Sequence, residues 1–310
     1  MRKAIIDLGT NTFNLLVVDQ GTELGLNVVH STELPVFLGK GGIEKGVLAP
    51  DAIERGLRAL RTFRSEAESH GATSIRGFGT SALRNASNAP EFVRRAQVEF
   101  GIPITVIPGE QEADLILAGV RQAVRFTAKP ALVMDIGGGS IEFILATEKA
   151  MMWKHSFELG ATRLRERIPI SDPITVNEEA RVAAHLDDRL EPLYAIIERH
   201  EPHCLIGSAG SFDSIAAMIA AERGNSIPAD ARSMDYSAME FDALRDRLLR
   251  MDRDQRLQQP GLPEYRVDTL PYALIAIERV LTAGAIRDLC WSRYALKEGA
   301  AVAQIRDIVR

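Results

Sequence analysis

The sequence is poor in the features that would restrict it to a membrane or to a disulfide-bonded fold. Its 310 residues include only two cysteines. Cys204 and Cys290 each lie in an apolar, strand-like run, which predicts reduced core residues and no disulfide framework. No apolar run approaches the ~20 residues that a membrane-spanning helix needs, and "MRKAIIDLG" enters a strand without a signal-peptide pattern. We therefore expect a cytoplasmic protein with no membrane partner.

An excess of charge of one sign is also missing. The chain has 37 basic and 42 acidic residues, for a formal net charge of -5. This balance excludes the polybasic surface that coats duplex nucleic acid, so we expect no nucleic-acid partner. A polyanionic ligand would have to be held locally, by Arg or Lys side chains, by a metal ion or by backbone N–H groups.

Several motifs of nucleotide, metal and hydrolase sites are absent from the sequence. It contains no Walker A motif and no Gly-x-Gly-x-x-Gly motif. His200 and His203 are close together, but no cysteine or second ligand pair completes a zinc pattern. The turn "GSAGS" at 207–211 lacks the Gly-x-Ser-x-Gly order of many hydrolases. Because it precedes a predicted helix, this turn either binds an anion or only caps the helix.

The composition and the order of predicted elements indicate a globular α/β protein with two domains. Hydrophobic residues make up 46% of the chain and charged residues 25%. The first ~110 residues alternate between strand-like and helix-like patterns, as in a layered α/β fold. Asp51 and Glu54 predict a capping box at the start of one helix, whereas "SALRNASN" predicts a loop. A strand beginning at Ala131 starts a second series of strands and helices.

One arrangement of residues occurs twice: an apolar strand, an aspartate, a turn of small residues and a second apolar strand. It appears in "IIDLGTNTFNLLVVD" at 5–19 and in "ALVMDIGGGSIEFILA" at 131–146. Small residues leave the backbone N–H groups uncovered, and glycine lets an anion approach them closely. Either turn alone is typical of an ordinary hairpin, but the pair favours phosphate binding. The predicted phosphate-binding residues are Gly9, Thr10, Asn11, Thr12, Gly137, Gly138, Gly139 and Ser140.

Three carboxylates adjoin the two turns. Asp7 and Asp135 end the strands before the turns, and Glu142 lies just beyond the second turn. A carboxylate repels phosphate but can hold Mg2+, and the metal can bridge to the phosphate. The alternative is that the aspartates serve turn chemistry and that Glu142 is a solvated strand carboxylate. We predict that Asp7, Asp135 and Glu142 bind Mg2+, with Mn2+ as the other possible metal.

Further charged residues lie at the start of one predicted helix, after a strand end and along another predicted helix. Glu110, Glu112 and Asp114 occur in "PGEQEADLILAGV". Acids at a helix N-terminus favour the helix dipole, and an acid in the same place could orient or deprotonate a water, so both interpretations stay open. Arg84 follows a strand end, where its planar fork suits a phosphate group. A solvated helix face is predicted for Arg163, Arg165 and Arg167.

Seven stretches of the chain resemble, in order, the exopolyphosphatase / guanosine pentaphosphate phosphatase family of the actin-like ATPase superfamily. The resemblance covers nearly the whole chain. It implies an α/β fold of two actin-like, ribonuclease H-like domains, each a mixed sheet flanked by helices, with a cleft between them. We place domain I at 1–118 and domain II at 119–293, and expect the terminal helix at about 294–310 to pack on domain I. The stretches are "AIIDLGTNTFNLLVVD", "GTSALRNASNAPEF", "IPGEQEADLILAGV", "LVMDIGGGSIEFI", "ELGATRLRE", "IGSAGSFDSIA" and "ALKEGAAVAQI".

The resemblance also implies roles for individual residues. The family's catalytic glutamate falls on Glu112, with Glu110 as the second candidate, and its phosphate-contacting arginine falls on Arg84. Its two acids of the second loop fall on Asp135 and Glu142. The chain is similar to the short, two-domain form of the family, for which a homodimer is expected.

We predict an exopolyphosphatase, a phosphoanhydride hydrolase in which Glu112 positions water for in-line attack on the terminal phosphate of inorganic polyphosphate. A guanosine pentaphosphate 5′-phosphohydrolase would use the same site. A kinase or ATPase of the superfamily would need a nucleoside pocket near 207–211. A non-enzymatic alarmone sensor is the last alternative, and the acids at 112 and 135 argue against it, because a pure anion binder gains nothing from nearby carboxylates.

Overall fold

The chain folds into two units, each with its own sheet and its own core. The computed structural model describes residues 2–19 and 26–309, with side chains described up to residue 303. Unit 1 comprises Met1–Gln122 and Tyr294–Arg310, and unit 2 comprises Ala123–Arg293. The first boundary therefore lies at the end of a helix, rather than at residue 118 as the sequence suggested. The helix that ends the chain belongs to unit 1.

Unit 1 contains a mixed sheet of five strands in the order β3-β2-β1-β4-β5. β1, β2 and β3 form an antiparallel meander, and β4 and β5 continue the sheet parallel to β1. The strands are β1 (Arg2–Leu8), β2 (Thr12–Asp19), β3 (Asn27–Pro35), β4 (Ser74–Gly79) and β5 (Ile104–Val106). The first four helices are α1 (Pro50–Ser69), α2 (Ser81–Asn85), α3 (Ala89–Phe100) and α4 (Gly109–Ala123).

Unit 2 contains a mixed sheet of six strands in the order β10-β11-β9-β6-β7-β8. Its strands are β6 (Ala131–Ile136), β7 (Ile141–Ala146), β8 (Met151–Phe157), β9 (Cys204–Ser208), β10 (Ser233–Ser237) and β11 (Asp288–Ser292). Its helices are α5 (Ala161–Arg167), α6 (Val176–His200), α7 (Gly210–Glu222), α8 (Ala238–Arg250), α9 (Arg253–Leu257) and α10 (Leu270–Gly284). The last helix of the chain, α11 (Leu296–Val309), follows and packs against β1 and β2 of unit 1.

The two sheets share one strand order. In unit 2, β8, β7, β6, β9 and β11 take the places that β3, β2, β1, β4 and β5 take in unit 1, and β10 is an additional antiparallel edge strand. An antiparallel meander of three strands continued by parallel strands is the order of a ribonuclease H-like sheet. The predicted fold, two mixed sheets flanked by helices, is thereby confirmed.

Each unit buries a separate set of large apolar side chains, as an α/β layer fold requires. In unit 1 the fully buried residues include Phe13, Phe63 and Phe92, where Phe13 and Phe92 meet edge to face. In unit 2 they include Phe143, Phe212 and Phe241. The helical periodicity of α1 puts Phe63 on the face that meets the sheet.

Two local predictions in unit 1 were wrong. The capping box of Asp51 and Glu54 does not form, because Pro50 occupies the first turn and α1 begins one residue earlier; Asp51 pairs with Arg55 instead. The segment read as a loop, "SALRNASN", contains the short helix α2. The sequence pattern also gave no sign of β3, because its half-exposed residues do not alternate cleanly between apolar and polar.

Helices α4 and α11 touch through their backbones. A Cβ atom added to Gly119 would collide with the carbonyl oxygen of Ala295, and one added to Gly299 would collide with that of Leu115. Only glycine permits this approach at the two positions. The contact fixes the last helix within unit 1.

The two cysteines are free, as expected. Burial raises the pKa of the Cys204 thiol to about 11 and also raises the pKa of Cys290, so both thiols stay protonated near neutral pH. Among the described residues, no helix has the length and apolar character to span a membrane.

Candidate active site

The first turn connects β1 to β2 and is closed by its own backbone. The N–H of Gly9 donates to the carbonyl oxygen of Thr12 at 3.1 Å. A Cβ on Gly9 would lie 2.7 Å from that oxygen, so the closure requires glycine. Thr10 accepts a backbone hydrogen bond from Gly39, and Asn11 accepts two from residues 36–37, at 2.7–3.1 Å. The segment 36–39 therefore holds the carbonyl groups at the tip of the turn.

The second turn, between β6 and β7, repeats this closure: the N–H of Gly137 donates to the carbonyl oxygen of Ser140 at 3.0 Å. Helix α5 holds its carbonyl groups. The oxygen of Gly137 accepts from Ala161 N, that of Gly138 from Thr162 N and Arg163 N, and that of Gly139 from Gly160 N, at 2.9–3.2 Å. The approach is tight enough that a Cβ on Gly160 would collide with the backbone of Gly138 and Gly139. The start of α5 therefore covers one side of this turn.

Peptide geometry fixes what the other side of the second turn presents. In a planar trans peptide, the N–H of one residue points opposite to the C=O of the residue before it. Because three successive C=O groups face α5, the N–H groups of Gly138, Gly139 and Ser140 point away from it. These three residues are buried, and within the described part of the chain their N–H groups donate to no acceptor. Buried N–H groups are almost always paired, so this run of amides is suited to an anion.

Two buried carboxylates lie side by side next to the second turn. Asp135 on β6 and Glu142 on β7 are directly opposite in register, which brings their side chains together on one face of the sheet. Asp135 accepts a hydrogen bond from Ser208 at 2.7 Å, and Glu142 accepts one from Ser156 at 2.6 Å. Glu142 is 1% exposed, so its alternative interpretation as a solvated strand carboxylate was wrong.

The corresponding positions in unit 1 carry a different set of residues. Asp7 on β1 lies opposite Asn14 on β2, whose amide donates to the Asp7 carboxylate at 3.5 Å, and Asn14 lies opposite Glu33 on β3. A single carboxylate thus stands where unit 2 has two adjacent ones. In the chain apart from its undescribed residues, no group of three or more His, Cys, Asp or Glu side chains is close enough to hold a metal ion.

The donor chemistry of Asp135 and Glu142 suits a hard divalent cation. Mg2+ prefers oxygen ligands and is commonly held by one or two carboxylates, with water and phosphate oxygens completing its octahedron. Two neighbouring buried carboxylates repel each other, and a cation relieves that repulsion. The residues of unit 2 therefore fit Mg2+ or Mn2+ without forming a complete protein cage.

Arg84 and Glu112 form an ion pair in unit 1. A guanidinium nitrogen of Arg84, on α2, donates to the Glu112 carboxylate at 2.8 Å and to the carbonyl oxygen of Ile107 at 3.2 Å. Glu112, in the first turn of α4, is 7% exposed, whereas Glu110 and Asp114 are exposed. Glu112 thus differs from Glu110 and Asp114 in being buried next to an arginine. The two exposed acids are in the ordinary position for acids at a helix N-terminus.

The structure overturns one prediction on helix α5. The solvated helix face expected for Arg163, Arg165 and Arg167 holds for the last two, which are exposed. Arg163 is 8% exposed and donates from Nε to the carbonyl oxygen of Gly139 at 2.9 Å. Sequence reasoning missed this contact because it joins residues far apart in the chain; Gly160, which allows the close approach, was the available signal.

The third small-residue turn, at 207–211, contributes a residue that contacts one of the two buried carboxylates. Ser208, its second residue, donates to Asp135. The glycines on either side are closely packed: a Cβ on Gly207 would collide with the ring of Phe212, and one on Gly210 would lie 2.6 Å from the Arg266 guanidinium. The structure thus connects this turn to the acids of the second turn.

Comparisons with known proteins agree with this geometry. Residues 17–307 match the model of the Ppx/GppA phosphatase family. The chain is 31% identical over 291 residues to exopolyphosphatase 2 of Mycobacterium tuberculosis, which covers 90% of this chain and 89% of that protein.

Solved structures show the same likeness. An exopolyphosphatase from Cytophaga hutchinsonii is 36% identical, with a TM-score of 0.96 over 99% of this chain and 98% of that one. A Ppx/GppA family member from Aquifex aeolicus is 22% identical, with a TM-score of 0.82 over 100% of this chain and 99% of that one, and it shows the shared fold.

Proposed function

This chain belongs to the Ppx/GppA phosphatase family, and we propose that it is an exopolyphosphatase, a phosphoanhydride hydrolase that releases terminal orthophosphate from inorganic polyphosphate. The observation that carries the proposal is the run of outward-facing amides at Gly138, Gly139 and Ser140, which lies beside two buried carboxylates. Amides supply donors for phosphate oxygens, and carboxylates supply ligands for a divalent cation. Together they match a phosphoanhydride substrate.

We propose that both turns bind phosphate groups of the substrate. Gly138, Gly139 and Ser140 would donate from their backbone N–H groups. The matching residues of the first turn, Gly9–Thr12, would add N–H and hydroxyl donors; the closing hydrogen bond at Gly9 has its counterpart at Gly137. Donors that the fold already holds in place need no reorganisation when charge develops on the transferred phosphoryl group.

The carboxylates of unit 2 are the proposed metal ligands. Asp135 and Glu142 would hold Mg2+, or Mn2+ in its place, and Asp7 is the proposed contribution from unit 1. A divalent cation bound there would offset the charge of the phosphate oxygens. Ser208 and Ser156, which donate to Asp135 and Glu142, would fix the orientation of the two carboxylates.

Glu112 is the proposed catalytic residue. Its ionised carboxylate would accept a hydrogen bond from the attacking water and direct it in line with the bond to the leaving polyphosphate. Arg84 restricts the orientation of the Glu112 carboxylate through their 2.8 Å contact. Arg84 is also the proposed arginine ligand of the phosphate, because the planar fork of a guanidinium matches the geometry of a phosphate group.

The decisive measurement is orthophosphate release from polyphosphate of defined length, with and without Mg2+. The Glu112→Gln variant keeps the shape of the side chain and should bind polyphosphate, but its turnover should fall by about 10³-fold, because amide oxygen is a much weaker base than carboxylate. Glu110→Gln, at an exposed neighbouring acid, is the matched control and should retain activity. Full activity of Glu112→Gln would contradict its assignment.

Guanosine pentaphosphate is the second candidate substrate, because the resemblance described in the sequence analysis implies either activity in the same site. The same donors would bind its 5′-terminal phosphate. A competition assay separates the two: the preferred substrate is the one with the higher kcat/KM when both are present.

The cellular setting and the assembly stay predictions. Two protonated, unpaired thiols support a reducing compartment such as the cytoplasm. A homodimer is the commonest soluble oligomer, and sedimentation of the purified chain would test it.

A further inference from the structure

Arg163 is a buried arginine on the side of the second turn opposite its outward-facing amides. Its backbone N–H donates to the oxygen of Gly138 at 3.1 Å, and its Nε donates to the oxygen of Gly139 at 2.9 Å. A terminal nitrogen of the same guanidinium donates to the Glu158 carboxylate at 2.5 Å. The planar guanidinium of Arg163 is therefore held by two hydrogen bonds, one to the turn and one to Glu158 in the segment that precedes α5.

This fixation reinforces the direction of a single peptide group, whose carbonyl oxygen at Gly139 also accepts from the backbone N–H of Gly160. Gly138 and Gly139 have no Cβ, so the chain at the turn has wide conformational freedom. The hydrogen bond from Arg163 holds the Gly139 carbonyl toward α5, and peptide planarity then turns the Ser140 N–H to the opposite side. The Arg163 side chain thus adds to the orientation of an amide, the Ser140 N–H, from the opposite side of the turn.

We infer that Arg163 is a positioning residue that aims the amides of the second turn at a phosphate group of the substrate. The inference rests on the proposed function, because it assumes that the turn binds phosphate. Its carbonyl contact lies on the α5 side of the turn, so Arg163 acts through the backbone of Gly139 and Ser140. Glu158, whose side chain is 41% exposed, orients the guanidinium and is solvated when Arg163 is replaced.

Arg165 provides a matched control. It lies on the same helix two residues later, its side chain is 50% exposed, and it pairs with Asp268 at 3.1 Å. Arg165→Met and Arg163→Met therefore remove the same charge from α5, but only Arg163→Met removes a contact with the turn.

The kinetic arm compares Arg163→Met, Arg163→Lys and Arg165→Met on polyphosphate of defined length. We expect Arg163→Met to lower kcat/KM by about 10²-fold, as displaced donors do, and to weaken inhibition by orthophosphate in parallel. Arg163→Lys should recover part of the loss, since an ammonium can donate to the Gly139 oxygen but lacks the planar fork. Arg165→Met should stay within about twofold of the wild type.

The second arm observes the turn directly and needs no turnover. In protein labelled with [1-13C,15N]glycine, a two-dimensional HNCO spectrum selects glycines that follow glycine, which are Gly42, Gly138 and Gly139. Inorganic phosphate should shift the amides of Gly138 and Gly139 but not that of Gly42 in the wild type and in Arg165→Met. In Arg163→Met these shifts should need much higher phosphate concentrations.

The two arms separate the possible failures. If Arg163→Met only lowers the melting temperature, while KM, orthophosphate inhibition and the phosphate-induced shifts stay unchanged, Arg163 is structural and the inference is overturned. If the wild type releases no orthophosphate from polyphosphate but shows phosphate-induced shifts that Arg163→Met loses, the proposed function fails and the positioning role stands. Unshifted wild-type glycines with active enzyme would overturn the inference alone.

Discussion

Unit 1 and unit 2 each carry a four-residue turn after a strand whose penultimate residue is aspartate, and both turns are closed by the same glycine hydrogen bond. What holds the carbonyl groups differs. In unit 2, helix α5 binds them directly and Arg163 reinforces the contact. In unit 1, the segment 36–39 binds them, and Arg55 of α1 holds that segment in turn by donating to the oxygens of Val36 and Phe37. The same turn geometry is therefore supported by an arginine in both units. In unit 2 the arginine contacts the turn itself, and in unit 1 it contacts the segment that binds the turn.

The acids next to the two turns also differ between the two units. Unit 2 pairs Asp135 with Glu142, whereas unit 1 pairs Asp7 with Asn14. Both sheets keep a polar row next to the turn, but two adjacent carboxylates occur only at the second turn among these four positions. The shared strand order therefore keeps the positions of polar residues the same in both units, but it does not determine whether those residues suit a cation or an anion.

The largest expected effect tests whether metal binding is concentrated in unit 2. Glu142→Gln removes one of the two adjacent carboxylates, so activity at a fixed Mg2+ concentration should fall by at least about 100-fold. Asn14→Ala removes a long hydrogen bond from the matching position and should cost less than about tenfold. The measurement is orthophosphate release as a function of Mg2+ concentration. Equal losses in the two variants would abolish the distinction between the acids of the two units.

An intermediate effect is expected from replacing the closing glycines. An added Cβ would lie 2.7 Å from the Thr12 oxygen at Gly9 but 3.2 Å from the Ser140 oxygen at Gly137. Gly9→Ala should therefore destabilise the protein by about 1–3 kcal/mol, and Gly137→Ala by about 1 kcal/mol or less, because the second contact needs only a small shift. Urea unfolding of both variants checks the order. The reverse order would show that the second turn is the more rigid one.

The smallest effect concerns helix caps, which also differ between the units. Side-chain hydrogen bonds with Ser171 and Thr175 lower the pKa of Glu178 to about 2, as part of the capping box of α6. In unit 1, α1 and α3 have no side-chain cap. A carboxylate with a lowered folded-state pKa stabilises the fold above its unfolded pKa of 4.5, and this stability is lost as the pH falls toward 2.

Glu178→Gln should accordingly lower the melting temperature by about 2 °C at pH 7 and by progressively less as the pH falls below 4.5. Calorimetry of the variant and the wild type at several pH values gives the difference. A difference that stays constant down to pH 2.5 would mean that the carboxylate charge does not contribute to the cap.

The two turns could be predicted from sequence because their signal is local: small residues and one aspartate directly after an apolar strand. The same local signal failed at Asp51, where Pro50 moved the helix start by one residue. The start of α3 shows a different limit: the side chain of Asn88, the residue before this helix, forms hydrogen bonds with the backbone of Leu48 and not with the first turn of α3. Such partners lie far away in sequence and leave no local pattern.

Other features escaped prediction for equally physical reasons. Edge strands β3 and β10 are partly exposed and lack clean alternation, so hydrophobic periodicity does not reveal them. The burial of Arg163 depends on the packing of α5 against a turn more than twenty residues earlier. The pairing of Arg84 with Glu112 joins two residues that sequence reasoning selected separately for different tasks.

The position of α11 has a consequence for how the chain folds. Unit 2 is formed by one continuous stretch, whereas unit 1 is formed by two stretches that lie on either side of unit 2 in the sequence. Helix α11 packs on strands β1 and β2, and Gly119 contacts the backbone at Gly299, so these contacts close a loop that contains the whole of unit 2. Closing so long a loop costs more conformational entropy than closing the loops within unit 2, and folding unit 2 beforehand shortens the flexible part of that loop.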